Sequence, residues 1–218
     1  MLEVSRHLGP IRLAPGVRRR HVCAYLFAAF VSIGLFTYLA TLTPYILEVN
    51  LRVPAGEQGV VTGNLQFWQE IVMLGLIGYW GAMSDRLGRR PVYVAGFLVL
   101  ALAYVLYPTA ASIAELTTYR LVFGAALAAL TAMLAAVVAD YAHEDSRGKL
   151  TGLSYLLNGL GAVLSFVVLT KLPGVFAAEG ADPVQAGRYA YWTVAGVAVL
   201  ATVVMLGLKP GRPAQAMA

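Results

Sequence analysis

The chain has 218 residues, of which 59% are hydrophobic and 12% charged, and its formal net charge is +5. An ordinary soluble domain carries about 25% charged and 45–50% apolar residues, so this composition indicates a protein whose solvent is lipid. The single Cys23 excludes an internal disulfide, and His7, His21 and His143 lie far apart without cysteine partners. The scattered histidines and the single cysteine predict no metal site and no cofactor. The basic residues lie between apolar segments, so the sequence also predicts no nucleic-acid partner.

Six apolar runs follow one another along the chain, each near the ~20 residues that a helix needs to cross a hydrocarbon core of ~30 Å. The first run is too long for a cleaved signal peptide, whose apolar region has roughly 7–15 residues. We predict an all-α membrane protein with one domain, 22–208, flanked by poorly ordered tails at 1–21 and 209–218. Its six transmembrane helices are predicted at 22–47, 58–83, 91–109, 114–139, 149–172 and 189–208.

Basic residues mark one side of the predicted bundle. Most Lys and Arg residues lie in the N-terminal tail, in the loops after the second and fourth helices, and after the sixth. The opposite loops contain Arg52 and Arg188, with Lys171 at a helix end. The positive-inside rule therefore predicts both termini in the cytoplasm, for a multi-pass protein of a bacterial-type inner (plasma) membrane.

The six predicted helices differ in polarity. The third and sixth have no charge and few hydrogen-bonding groups, whereas the other four contain polar side chains that need a protein partner or a water-filled cavity. We therefore expect the third and sixth helices on the outside of the bundle. Glycines of the second and fifth helices are expected to allow close helix packing: Gly75, Gly78, Gly81, Gly152, Gly159 and Gly161.

The loop between the second and third helices has a distinctive sequence, Gly81-Ala-Met-Ser-Asp85-Arg86-Leu-Gly88-Arg89-Arg90. Asp85 is predicted to end one helix, and Gly88 permits a tight turn. An ordinary basic loop would need the arginines, but not an aspartate and two glycines at fixed spacing. The loop resembles the signature loop of the major facilitator superfamily and departs from it at Met83, where the family has Leu.

Two further stretches resemble the same family. Arg120-Leu-Val-Phe-Gly124 is similar to its Arg-x-x-x-Gly pattern in the fourth helix, and Asp140-Tyr-Ala-His-Glu-Asp-Ser-Arg147-Gly148 resembles its loop between the fourth and fifth helices. The resemblance implies a six-helix bundle that forms one half of a rocker-switch secondary transporter. It also implies a cytoplasmic charge network that acts as a gate, made of Gly81, Asp85, Arg86, Gly88, Arg89, Arg90, Asp140 and Arg147.

The sequence departs from the family pattern in two ways. The family ordinarily has twelve helices, whereas six are predicted here. We therefore expect a homodimer or a second six-helix half; the alternative is a truncated or accessory half without transport activity of its own. The fifth helix contains Asn158-Gly-Leu-Gly-Ala and lacks the Gly-Pro pattern of drug/proton antiporters, which makes multidrug efflux a less favoured specialisation.

Charged groups inside the predicted helices cost about 2.5–3.5 kcal/mol each at the helix centre, so Glu70 and Arg120 need an explanation. Gln66 lies one turn from Glu70 on the same helix face. In one interpretation Glu70 carries a proton or cation, with Arg120 as its partner or as a clamp for an anionic solute. In the other, they form a purely structural pair between helices. Weaker candidates for lining a solute pathway are Gln66, Gln69, Tyr38 and Asn158.

A membrane enzyme is the remaining class. Intramembrane proteases need a Ser/His or a paired-Asp arrangement at membrane depth. Ser154 lacks a Gly-x-Ser-Gly setting, and Asp85 and Asp140 lie at predicted helix ends. We therefore predict no enzyme, but a transporter of a small polar or amphipathic solute that works by alternating access. The residues leave open the solute, the direction of transport and the coupling ion.

Overall fold

The computed structural model describes residues 7–210. Within them the α-helices are α1 Arg19–Tyr45, α2 Ala55–Leu87, α3 Arg89–Leu106, α4 Ile113–Tyr141, α5 Arg147–Val167, α6 Leu172–Ala178 and α7 Pro183–Met205. A π-helical segment, Ile46–Asn50, extends α1, and 3-10 segments follow α3, α4 and α5 at Tyr107–Thr109, Glu144–Ser146 and Leu169–Lys171. Two short antiparallel strands, β1 His7–Leu8 and β2 Ile11–Arg12, precede α1.

Five helical stretches of the described chain are long and apolar enough to cross a membrane: Arg19–Asn50, Arg89–Thr109, Ile113–Tyr141, Glu144–Ala178 and Pro183–Met205. They follow the predicted spans, although the fourth of them, Glu144–Ala178, is interrupted after Val167. The 33-residue α2 is long enough, about 50 Å at 1.5 Å per residue. It is not among the five, because Asn64, Gln66, Gln69 and Glu70 lower its mean hydropathy. The sixth span and the orientation of the termini therefore stay predictions.

The helices pack in an order that differs from their order in the chain. α5 packs on α1, α1 on α7, α7 on α3, α3 on α4 and α4 on α2. α2 and α5 thus lie at the two edges of this series and expose large apolar side chains, among them Phe67, Leu74, Leu156 and Val163. Contrary to our expectation, α3 and α7 are not the outermost helices of the described chain: their most apolar windows are 56% and 44% buried, against 17% for Glu144–Ala178, the stretch that contains α5.

One of the predicted glycines makes a close helix contact. A Cβ added at Gly161 of α5 would overlap the Phe30 carbonyl oxygen of α1, and a Cβ at Gly34 would lie 2.9 Å from the Gly161 carbonyl oxygen. The other predicted glycines have no atom within 4 Å of an added Cβ among the described residues: Gly75, Gly78, Gly81, Gly152 and Gly159. Their expected packing role is therefore not found within this chain.

Residues 7–17 form an arm that packs against the end of the helix bundle. Their proline and glycine content predicts a poorly ordered tail, so this prediction is wrong for the described part of the tail. Ile11, Leu13 and Val17 are buried. Leu13 pairs with Ala142 in an antiparallel bridge just beyond the end of α4. Because these apolar side chains find a surface at the end of the bundle, the arm folds over it. Residues 1–6 and 211–218 of the predicted tails lie outside the described residues.

Candidate functional site

The contact between α2 and α4 depends on Gly124. A Cβ added at this residue would lie 2.9 Å from the Gln69 carbonyl oxygen, so the missing side chain lets the two backbones approach. Gly124 lies one turn beyond Arg120 on the same face of α4. The Arg-x-x-x-Gly spacing therefore places the arginine beside the polar face of α2, which is the local reason for the site described next.

Four predicted site residues meet in this α2–α4 contact and form a polar cluster. Arg120 Nη2 donates to Gln66 Oε1 at 2.9 Å. Gln66 Nε2 donates to Glu70 Oε1 at 2.6 Å, and Gln69 Nε2 donates to the same oxygen at 3.3 Å. The amide of Gln66 thus accepts from the cation and donates to the carboxylate. The two charged groups are joined through this amide rather than by a direct ion pair.

The two charged residues of the cluster differ in burial. Arg120 is 1% exposed, and its guanidinium carbon lies 6.0 Å from the ring centroid of Tyr107 and 5.7 Å from that of Phe123. Its Nη1 donates to Thr43 Oγ1 at 3.2 Å, whereas its Nε has no hydrogen-bond partner in the described part of the chain. Glu70 is half-buried on the edge helix α2. The carboxylate is therefore more accessible than the guanidinium.

Thr43, Tyr107 and Phe123 belong to this site although the sequence did not single them out. Thr43 Oγ1 lies 3.2 Å from the Tyr107 hydroxyl, so the arginine is surrounded by one hydroxyl pair and two aromatic rings. Each of these residue types is common in apolar helices. Only a contact between α1, α4 and the 3-10 segment after α3 distinguishes them, and no spacing within one helix predicts it.

Two other candidates lie elsewhere. Tyr38 is fully buried against Tyr104 and Tyr191, with ring centroids 6.1 and 5.2 Å away. Asn158 lines a cavity of about 430 Å³ between α1, α4 and α5. Its Oδ1 is buried and has no hydrogen-bond partner among the described residues. The structure therefore brings Gln66, Gln69, Glu70 and Arg120 together and separates Tyr38 and Asn158 from them.

Arg89 is the centre of the charge network at the opposite end of α4. Its Nε lies 2.7 Å from Asp140 Oδ2, its Nη1 lies 2.6 Å from Asp85 Oδ1, and it also donates to Ser84 Oγ. Gly88 has a φ of 93°, which L residues rarely adopt, so the predicted tight turn is present.

The remaining residues of the predicted network take no part in these contacts. Arg147 lies 3.7 Å from Glu144 in its own loop. No hydrogen bond or ion pair joins Arg86 or Arg90 to Asp85 or Asp140 within residues 7–210. The network in the structure is therefore smaller than the family resemblance implies, because one arginine at the start of α3 satisfies both carboxylates.

Arg89→Ala is expected to destabilise the protein more than Arg90→Ala. The first change removes two part-exposed ion pairs, each contributing about 0.2–1 kcal/mol, whereas the second removes none that the structure shows. We expect a loss of about 1–2 kcal/mol for Arg89→Ala and less than about 0.5 kcal/mol for Arg90→Ala. Thermal unfolding of both variants in one detergent measures the difference. Equal midpoints would contradict the central place of Arg89.

Five long apolar helical stretches in the described chain, with a buried cation joined through an amide to a carboxylate between two helices, are the features of an integral, multi-pass membrane protein. The chain belongs to the major facilitator superfamily, whose family model matches residues 24–217. This confirms the family predicted from the loop motif. Members of the family are transporters rather than enzymes.

Three comparisons illustrate the relationship. The chain is 31% identical over 163 residues to the magnetosome protein MamH of Paramagnetospirillum magneticum, covering 71% of this chain and 38% of that protein. It is 30% identical over 141 residues to citrate exporter 1 of Aspergillus niger, covering 62% and 24%. The human organic anion transporter MFSD10 (TETRAN) has a similar fold, with a TM-score of 0.59 and 23% identity over 88% of this chain and 47% of that one. The chain thus spans less than half the length of each of the three.

Proposed function

We propose that this chain is one half of a secondary transporter that moves a small polar or amphipathic solute by alternating access and couples it to protons through Glu70. A second six-helix half, or a second copy of the chain, supplies the opposite wall of the solute pathway, and both termini face the cytoplasm. The relatives include a citrate exporter and tetracycline and multidrug resistance proteins. These names support transport in general and differ in solute, so the proposal names only a solute class.

The observation that carries the proposal is the chain of contacts from Arg120 through Gln66 to Glu70. A proton arriving at the half-buried Glu70 neutralises the carboxylate and weakens its hydrogen bond to the Gln66 amide, because bonds to charged acceptors are the stronger ones. Gln66 is then free to reorient, and the contact of α2 with Arg120 changes. Protonation is in this way converted into a change in helix packing, which alternating access requires.

The cavity between α1, α4 and α5 is proposed as part of the solute pathway. Its volume of about 430 Å³ falls in the range of roughly 300–1,000 Å³ typical of small-molecule sites. The unpartnered Asn158 Oδ1 offers a hydrogen-bond acceptor there, and the lining has no charged side chain among the described residues. A solute with an apolar body and a hydrogen-bond donor fits this lining.

Glu70→Gln is expected to reduce proton movement coupled to solute by tenfold or more, because glutamine keeps the shape but cannot bind a proton. Protein purified with the partner it retains from its own membrane would be placed in vesicles that contain a pH-sensitive dye. Citrate and tetracycline serve as the first solutes, since relatives are named for them. Glu57→Gln, the same change in the exposed first turn of α2, is the matched control. Unchanged proton movement in Glu70→Gln would refute the role of Glu70.

The second candidate function is an accessory half without transport of its own. It is supported by the chain spanning less than half the length of the proteins compared above, whereas the exposed apolar side chains along α2 and α5 fit either candidate, because lipid or a partner covers them. Native mass spectrometry of gently extracted protein separates the two. A complex at about twice the chain mass of 23.2 kDa, or one with another six-helix chain, supports the transporter half. A lone chain that is stable across mild detergents counts against transport by this chain.

A further inference from the structure

The N-terminal arm supplies backbone partners for the end of α4. The last carbonyl groups of a helix have no partner within it, and α4 ends at Tyr141, one residue after Asp140. The Ala14 N–H donates to the Tyr141 carbonyl oxygen at 2.9 Å. The Leu13–Ala142 bridge continues this pairing. The arm therefore caps the helix turn that carries the Asp140 carboxylate.

The arm also holds the segment that follows α4. The His143 N–H donates to the Arg12 carbonyl oxygen at 3.0 Å, and the Arg12 N–H donates to Ser146 Oγ at 3.0 Å. Lys149 Nζ donates to the Pro10 carbonyl oxygen at 3.2 Å. With contacts on the helix end and on the loop after it, the arm fixes where α4 stops.

A third contact joins the arm to the end of the bundle beyond α7. Lys209 donates through Nζ to the Pro15 carbonyl oxygen at 3.2 Å and through its backbone N–H to the Tyr141 hydroxyl at 3.0 Å. Pro15 also lines a cavity of about 760 Å³ together with Arg89 and Asp140. The arm is therefore a wall of the space in which the charge network lies.

We propose that residues 7–17 position Asp140 for its contact with Arg89, so that the strength of the charge network depends on whether the arm is docked. No hydrogen bond from residues 10–17 reaches residues 84–90 within the described chain. The hydrogen bonds of the arm therefore reach the α2–α3 turn only through α4 and the Arg89–Asp140 pair. The side chains of this pair are 24% and 44% exposed, and such a pair weakens quickly when one partner is displaced.

Only the functional meaning of this proposal depends on the charge network acting as a gate in transport. The test measures the Arg89–Asp140 contact itself and needs no solute. Hydrogen–deuterium exchange of the full chain in detergent would compare the unchanged protein with Leu13→Asp, which places a charge at a buried anchor of the arm. We expect faster exchange at 84–90, by about threefold to fivefold, the factor that a part-exposed ion pair contributes. In an Asp140→Asn background, Leu13→Asp is expected to cause no further increase at 84–90.

Two outcomes would overturn the proposal: faster exchange confined to 7–17 and 138–149, or an equal rise at 84–90 in the Asp140→Asn background. Arg12→Ala is the control within the arm, because it removes an exposed side-chain ion pair with Asp145 and leaves the backbone bonds in place. Arg12→Ala should leave the exchange rate at 84–90 unchanged. If Leu13→Asp prevents folding, Leu13→Ala provides the milder variant with the same expected sites of change. Unchanged transport in Leu13→Asp, despite faster exchange at 84–90, would refute the gate and leave the positioning role standing.

Discussion

Replacing Gly161 with alanine is expected to destabilise the protein by about 3 kcal/mol, at the upper end of the usual cost of overpacking. The added methyl group would overlap the Phe30 carbonyl oxygen, which is a backbone atom and cannot rotate away. The helices α1 and α5 would have to separate along their contact, and the neighbouring approach at Gly34 would be lost with it. A fall of roughly 10 °C in the apparent unfolding midpoint corresponds to this loss.

Gly159 provides a control two residues away on the same helix. A Cβ at Gly159 meets nothing within 4 Å, and alanine is favoured over glycine in a helix interior by roughly 0.5–1 kcal/mol. Gly159→Ala should therefore leave the midpoint unchanged or raise it, in the same detergent and at the same heating rate. If both variants lost stability equally, the cost would not come from the α1–α5 contact.

Arg120→Ala is the second large effect, with an expected loss of about 2–3 kcal/mol from two hydrogen bonds to a charged group and the space left by the side chain. Gln66 Oε1 would lose its donor while remaining between the helices. Release of a buried charge offsets part of the cost. The stability of Arg120→Lys should lie between that of the unchanged protein and that of Arg120→Ala, because one ammonium group cannot reproduce the forked guanidinium that reaches both Gln66 and Thr43. Thermal unfolding again measures the order.

Arg188→Ala is the matched control for this prediction. It removes the same side chain from α7, where Arg188 makes no side-chain hydrogen bond within the described residues. We expect a change of less than about 0.5 kcal/mol. A larger loss in Arg188→Ala than in Arg120→Ala would show that the polar cluster contributes little to stability.

The N-terminal arm shows where sequence patterns mislead. Proline and glycine at 9–16 indicate irregular structure, and this is correct for the backbone outside the two-residue strand β2 and the Leu13 bridge. Whether such a segment packs depends on a surface that it can reach, and here the end of α4 and the loop after it provide one. The buried Ile11, Leu13 and Val17 are too few for any periodicity to mark them. Only the folded chain distinguishes a packed arm from a free tail.

The predicted glycines and the predicted charge network are a second case in which sequence patterns mislead. Spacing placed six glycines on two helices, but contact depends on which direction each helix face points, and only Gly161 faces a neighbour. In the same way, the family resemblance implies four arginines near two carboxylates, and in the structure both carboxylates pair with Arg89. Spacing along one helix shows which residues share a face of that helix. Which other helix contacts this face depends on how the helices pack.

The sequence by itself determined the solvent of this protein, most of its helices and its family, because these depend on composition, on the length of apolar runs and on residues close together in the chain. It also identified Glu70 and Arg120, since a charge in an apolar run stands out wherever the helix lies. Only the tertiary structure decided that Gln66 joins them and that Thr43 completes the site. These contacts link α1, α2 and α4 across long stretches of chain, and backbone approach at Gly124 sets their distances.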